Sequence, residues 1–315
     1  MIDFILIHYL AVAATIGIPL MGVARGQQRA SMMVISALDE QPAAQGPLRF
    51  LFFLGAAMLE FAGILSLVMG VLFFYTVPTN LAGALAQLGA ALAFIIPAVI
   101  VGIVAAYPLA ANIQALARQP LLQQKILRLL LLTQIMLQTP VLFGFVISGL
   151  INASITPELS MAAGLKLFAS GLTFGLGSMG PLLGLSIFAR QACSTVGEHP
   201  DSYDNIFAFT FVSQGIIETP ILFVFVVSLW LWLVAPSAAP WSSTAYSMIA
   251  LTMGITTFTA GTSSGKTASS ACKQIGLYAE QYGAISRTSL LGQVFIETNA
   301  IYGFITAFIM LYLIP

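Results

Sequence analysis

Three stretches of this chain lie over one another: QIMLQTPVLFGFVISGL at 134–150, QGIIETPILFVFVVSLWL at 214–231 and QVFIETNAIYGFITAFI at 293–309. Each opens on glutamine, passes three residues and then sets an amide or carboxylate before threonine: Gln138-Thr139, Glu218-Thr219 and Glu297-Thr298. Upstream, AAMLEFAGIL at 56–65 supplies Glu60 in a similar apolar setting. The four key positions, Glu60, Gln138, Glu218 and Glu297, are 78, 80 and 79 residues apart. A fixed period of this length marks tandem copies of one structural unit.

Of the 315 residues 59% are hydrophobic and only 7% charged, against roughly 25% charged in soluble domains. Such a chain belongs in a membrane. Eight mostly apolar stretches, at 3–38, 46–77, 81–116, 123–153, 159–195, 204–236, 242–275 and 284–314, are each long enough to cross a hydrocarbon core of about 30 Å. The first lacks a basic leader and carries its positive charges after the apolar run, so it reads as a retained helix. With 11 basic and 11 acidic residues the formal net charge is zero, which offers nothing to a nucleic acid. Cys193 and Cys272 stand alone in helix-like sequence and read as packing residues.

The basic residues cluster at Arg25, Arg29 and Arg49; at Arg118, Lys125 and Arg128; at Arg190; and at Lys266, Lys273 and Arg287, with Lys166 outside. Each cluster brackets the link from an odd helix to the next even one. The positive-inside rule therefore puts these links in the cytoplasm and both termini on the opposite side of a cell (inner or plasma) membrane. The expected fold is all-α: eight spans as four tandem hairpins at 1–79, 80–157, 158–238 and 239–315. Arms of about 45 to 55 Å, at 1.5 Å per residue, exceed the bilayer and should protrude. Pro42, Pro120 and Pro200 precede Glu60, Gln138 and Glu218 by one and the same interval, so three turns agree on the register. The fourth turn has Ala279 at that place, and the alignment around GLYAEQYGAIS is expected to slip by a few residues.

The odd helices differ in kind from the even ones. Gly171, Gly175, Gly180 and Gly184, then Gly254, Gly261 and Gly265, make small faces that allow close backbone approach. These helices read as an inner layer, with the Phe-, Leu- and Ile-rich even helices outside them against lipid. An acid at mid-membrane costs about 2.5 to 3.5 kcal/mol on insertion scales, and three at one register imply a task. Desolvation favours the neutral carboxyl unless a cation comes near. A group that is neutral toward lipid and charged beside a partner's arginine can load and unload an ion. Gln138 has a similar shape but cannot titrate, so the second hairpin should carry none.

A glycine-rich inner helix, a polar turn with Arg118-Gln119-Pro120 and then Lys125-Ile126, and an outer-helix acid at a fixed interval past the turn proline resemble the proteolipid c subunit of rotary ATP synthases. The run from Glu297 to Gly303, ETNAIYG, resembles the K proteolipid of V-type rotary ATPases. Together the four hairpins extend the resemblance over the whole chain. It implies that Glu60, Glu218 and Glu297 bind the ion and that copies of the chain form a ring in the lipid membrane. It also implies a stator subunit with an essential arginine, and central-stalk contacts at the cytoplasmic turns: Gln41, Pro42, Arg118, Gln119, Pro120, His199 and Pro200. Only the second turn keeps Arg-Gln-Pro. No catalytic residue, metal or cofactor is expected, and ATP chemistry would reside in partner subunits. GTSSGKT at 261–267 is too short between its glycines for a phosphate-binding loop.

The transported ion reads as a proton, with Na+ as the alternative. In sodium-binding relatives an inner-helix glutamine, as far before the acid as Gln27 is before Glu60, supplies a ligand; here the four such places hold Gln27, Ala105, Leu185 and Ser264. Thr219 and Thr298 follow their acids, and Gln214 and Gln293 lie one turn before them on the same helical face, where interhelical hydrogen bonding is an equal reading. His8 and His199 read as incidental. A secondary transporter built from repeats is the main rival, although such folds use inverted repeats and broken helices. A purely structural proteolipid would not need the acids.

Overall fold

The computed structural model describes residues 2–237, 239 and 241–313. The expected third boundary at 238 and the last two residues of the fourth unit lie outside them. Among the described residues nine α-helices follow in order: α1 Ile2–Glu40, α2 Gln45–Tyr75, α3 Leu81–Val104, α4 Ala106–Arg118, α5 Gln123–Ala153, α6 Met161–Glu198, α7 Tyr203–Leu233, α8 Ser242–Leu277 and α9 Tyr282–Leu313. Asn80 starts α3 by accepting the Gly83 N–H at 2.8 Å, and Ser160 starts α6 by accepting from Ala163 at 3.2 Å.

Helices α3 and α4 form one span with a break at Ala105, which corrects the expected uninterrupted helix over 81–116. Pro108 has no N–H for the Val104 carbonyl. The Ser186 hydroxyl donates to that oxygen at 2.7 Å instead, and the Gln134 amide donates to the next carbonyl, Ala105, at 2.8 Å. The break is therefore closed by neighbouring helices. Seven of the eight spans are long and apolar enough to cross a membrane. The exception is α8, 36 residues long but rich in serine and threonine. Its hydroxyls turn inward on their own helix, Thr252 to Met248, Thr257 to Met253 and Thr262 to Phe258 at 2.6 to 2.9 Å, which lets the segment run without leaving these donors unmet.

Four tight turns join the hairpin arms. Pro42, Pro120 and Pro200 each begin a single 3-10 turn, after Gln41, Gln119 and His199 in nearly one conformation, φ −130 to −139° and ψ 67 to 74°. Tyr278 has φ −133° and ψ 66°, and Ala279 opens the same turn. The expected slip does not occur: the backbone angles suit proline but do not demand it.

The odd spans pack side by side in the order α1, α3/α4, α6, α8, and α2, α5, α7, α9 pack in a second row outside them. Backbone approaches backbone within the inner row. A Cβ on Gly171 would collide with the Gly89 carbonyl, and one on Gly184 with that of Gly261. Lipid is as apolar as the side chains, so close van der Waals contact of this kind holds such helices together. The outer row turns Phe53, Phe74, Phe211 and Phe295 outward. Among the described residues no substantial contact joins α1 to α8 or α2 to α9, so the double row is open at both flanks. In consequence α1 is 22% buried over its apolar window, whereas α6 in the middle is 72% buried.

Gly184→Leu should wedge α6 from α8 and destabilise the fold by about 1–3 kcal/mol or more. The midpoint of thermal unfolding in detergent should fall accordingly, while Gly46→Ala, in open space at the start of α2, should leave it unchanged.

Candidate ion-carrier site

Each key residue stands at the centre of its outer helix. Glu60, Gln138 and Glu218 are the middle residues of α2, α5 and α7, which have 31 residues each. Glu297 is at the centre of α9, which has 32 residues. Half of such a helix is about 22 Å at 1.5 Å per residue, so the four share one depth. The cause is covalent: equal helices follow equal turns, and each proline or its substitute Ala279 precedes its key residue by the same interval.

Their surroundings differ. Glu60, on the open flank, is exposed and accepts from the Gln27 amide of α1 at 3.3 Å. Gln138 is buried and donates to the Met58 carbonyl of α2, in the preceding hairpin, at 3.0 Å. Glu218 is half-buried, with the Thr139 hydroxyl of α5 beside it and Leu185 in the inner-helix register where Glu60 has Gln27. Glu297 is only 5% exposed, and among the described residues both its oxygens lack a hydrogen bond. The Ser264 hydroxyl of α8 is directed to the same spot and is also unpaired there. Gln138 and Glu218 thus lean on the outer helix of the preceding hairpin.

The remaining polar candidates divide. Thr219 and Thr298 turn away from the acids and donate to their own helices, at Gly215 and Phe295, at 3.0 and 2.6 Å. Gln293 donates to Ser213 and Ser289 at 3.2 Å, an interhelical and an intrahelical bond. Gln214 is fully buried, with neither amide atom paired among the described residues. Around the turns, Arg118 pairs with Glu198 and Lys125 with Asp204, both at 3.4 Å; exposed pairs of this kind contribute about 0–1 kcal/mol. Pro42 is exposed, Gln41, Gln119, Pro120, His199 and Pro200 are partly so, and Leu121 is fully exposed.

A second polar layer, near the opposite end of the inner helices, escaped the sequence reading. His8, Gln87, Lys166 and Tyr246 are 79, 79 and 80 residues apart, each at most 5% exposed. His8 Nδ1 donates to the Gln87 amide oxygen at 2.7 Å, and the Gln87 nitrogen donates to the carbonyls of Phe73 and Thr76 at 3.3 and 2.9 Å. The Lys166 ammonium donates to Trp232, at 3.2 Å, and to Val234. The Tyr246 hydroxyl accepts from the Ser237 N–H at 3.3 Å. His8 is therefore not incidental. Gln87 and Lys166 thus donate to carbonyls at the ends of outer helices α2 and α7, His8 holds Gln87 in place, Tyr246 takes up a backbone N–H just past α7, and Lys166 adds a cation at a negative helix terminus. Their common spacing was the available signal; four different residue types concealed it.

The ATP synthase C-subunit family profile matches residues 168–231 and 248–310. ATP synthase c subunits from three strains of Dehalococcoides mccartyi are 34% identical to the chain over 71 residues, 22% of this chain and 93% of each relative.

Gln87→Leu should leave His8 and the Thr76 carbonyl unmet and destabilise the fold by about 1–3 kcal/mol, read as a lowered unfolding midpoint in detergent. His8→Phe combined with Gln87→Leu should recover part of that loss, because both partners are then apolar.

Proposed function

Because the chain belongs to the ATP synthase c-subunit family, we propose that it is a membrane rotor component in which Glu60, Glu218 and Glu297 carry protons. Copies of the chain form the ring, open flank to open flank. Each glutamate takes a proton from one access channel, crosses the lipid neutral and gives it up beside a stator arginine. The chain makes and breaks no phosphate bond; the turns at Pro42, Pro120, Pro200 and Ala279 carry torque to central-stalk subunits. Their links face the cytoplasm and both termini face the other side.

The observation that carries this reading is the shared mid-helix position of three carboxylates on three outer helices in one row. A transporter's acids would converge on one cavity. The proton, rather than sodium, is supported by Gln138. Its amide N–H reaches the Met58 carbonyl at 3.0 Å, as the O–H of a protonated glutamate would. Pro140 and Pro220 cannot donate to the carbonyls of Met136 and Ile216. Those oxygens stand two residues before Gln138 and Glu218, as Met58 does before Glu60, and are free to accept such a bond from Glu218 and Glu297. The inner-helix oxygens that sodium would add occur at only two of four places, Gln27 and Ser264.

With one silent hairpin in four, a ring translocates fewer ions per turn than a fully charged ring with the same number of hairpins. The ion-to-ATP ratio falls with it.

A hydrophobic carbodiimide should modify Glu60, Glu218 and Glu297 in the purified ring, less as pH rises, and should spare Gln138; peptide mass mapping reads this. Protection by sodium would replace the proton with Na+ as cargo, and no labelling at any of the three would remove the carrier role. The triple variant Glu60→Gln, Glu218→Gln, Glu297→Gln should assemble yet lose ion-coupled ATP synthesis and hydrolysis.

A further inference from the structure

Arg29 and Arg190 converge on one aromatic ring on the inner side of the inner row, the side turned away from the carriers. The Arg29 guanidinium, from α1, lies 3.9 Å over the Tyr107 ring, and that of Arg190, from α6, lies 5.8 Å from it. Tyr107 lies between them on α4. The ion pairs among the described residues, Arg118–Glu198 and Lys125–Asp204, use neither arginine. Arg29 is two residues past Gln27, which reaches Glu60, so it stands within about 3 Å of the carrier layer along the axis. Lys266, exposed and two residues past Ser264, adds a cation at that level.

Two like charges sharing one ring at membrane depth are costly without an anion: an arginine at mid-bilayer costs about 2.5–3.5 kcal/mol on insertion scales. The stacked ring offsets part, roughly 0.5–2 kcal/mol. The cleft beside them has a volume of about 810 Å³ and is lined by inner helices alone. Its polarity changes along the axis. Toward the chain termini its walls are Ile100, Ile103, Leu183 and Ile187; toward the turns they are Arg190, Gln191 and Ser194. An adjoining cleft of about 580 Å³ shares Ile103 and brings in Arg25 and Arg29, with Glu40 at its far rim. A free anion accounts for the polar half but not for the apolar one.

We propose that this cleft binds an anionic phospholipid, its phosphate held between Arg29 and Arg190 beside Tyr107 and its acyl chains along Ile100, Ile103, Leu183 and Ile187. The planar guanidinium fork matches phosphate oxygens two at a time. The lipid fills a face that protein leaves uncovered and sets a headgroup near carrier depth on the inner side.

The test uses the purified full-length assembly, equilibrated in neutral detergent with equal parts phosphatidylglycerol and phosphatidylcholine. Bound lipid is then counted by phosphorus assay and mass spectrometry. Phosphatidylglycerol should be retained over phosphatidylcholine, and Arg29→Gln with Arg190→Gln should weaken retention about tenfold or more, the loss expected for charge-assisted hydrogen bonds. Arg128→Gln, on outer helix α5, should keep it. Equal retention of the two lipids by the wild type overturns the proposal, and this comparison decides alone should the double variant fail to fold. Undiminished retention in a folded double variant overturns it as well, and so does displacement of the lipid by inorganic phosphate. The variant lacking all three carrier glutamates should still retain the lipid, which separates this inference from the carrier role.

Discussion

Contact between the backbones of the inner helices is the constraint on which the rest depends. Where Gly171 meets Gly89 and Gly184 meets Gly261, no side chain separates the chains, and the inner row becomes a narrow wall. The bulkier outer helices cannot enter that wall and must stand behind it, one for each inner span. Lipid supplies no hydrophobic drive for helix association, so the fold rests on this fit together with the few polar bonds that cross between helices.

Two polar layers are hung on that wall, and they do different things. Near the chain termini, Gln87 and Lys166 are paired with the ends of outer helices α2 and α7, with His8 bonded to Gln87 and Tyr246 to the Ser237 N–H just past α7. At mid-height the acids are paired little or not at all: Glu60 has one long bond from Gln27, and the oxygens of Glu297 have none among the described residues. A buried polar group that is fully paired gives rigidity, whereas one left open is ready for a ligand. The contrast separates the fastening layer from the acids at mid-height.

The three acids are unequal because their surroundings differ from copy to copy. The inner-helix position opposite each is Gln27, Leu185 or Ser264, and the second hairpin pairs Gln138, which does not titrate, with a backbone carbonyl. Exposure adds a further difference: Glu60 lies on a flank that a second copy would cover, whereas Glu218 and Glu297 already have a preceding outer helix beside them.

Much was legible in one dimension. The membrane setting follows from composition, and the repeat follows from the near-constant period of Glu60, Gln138, Glu218 and Glu297; equal helices after equal turns then put the acids at one height. These are consequences of covalent spacing and hydropathy, which a linear chain carries in full. What only the tertiary structure decided depends on which neighbour lies beside which: the break at Ala105 closed by Ser186, the unslipped turn at Ala279, the threonines turned back on their own helices, and the fastening layer whose four members share a position but no chemistry. The meeting of Arg29 and Arg190 at Tyr107 is of the same kind. Those residues come from three helices far apart in the chain, and only packing against glycine brings them together.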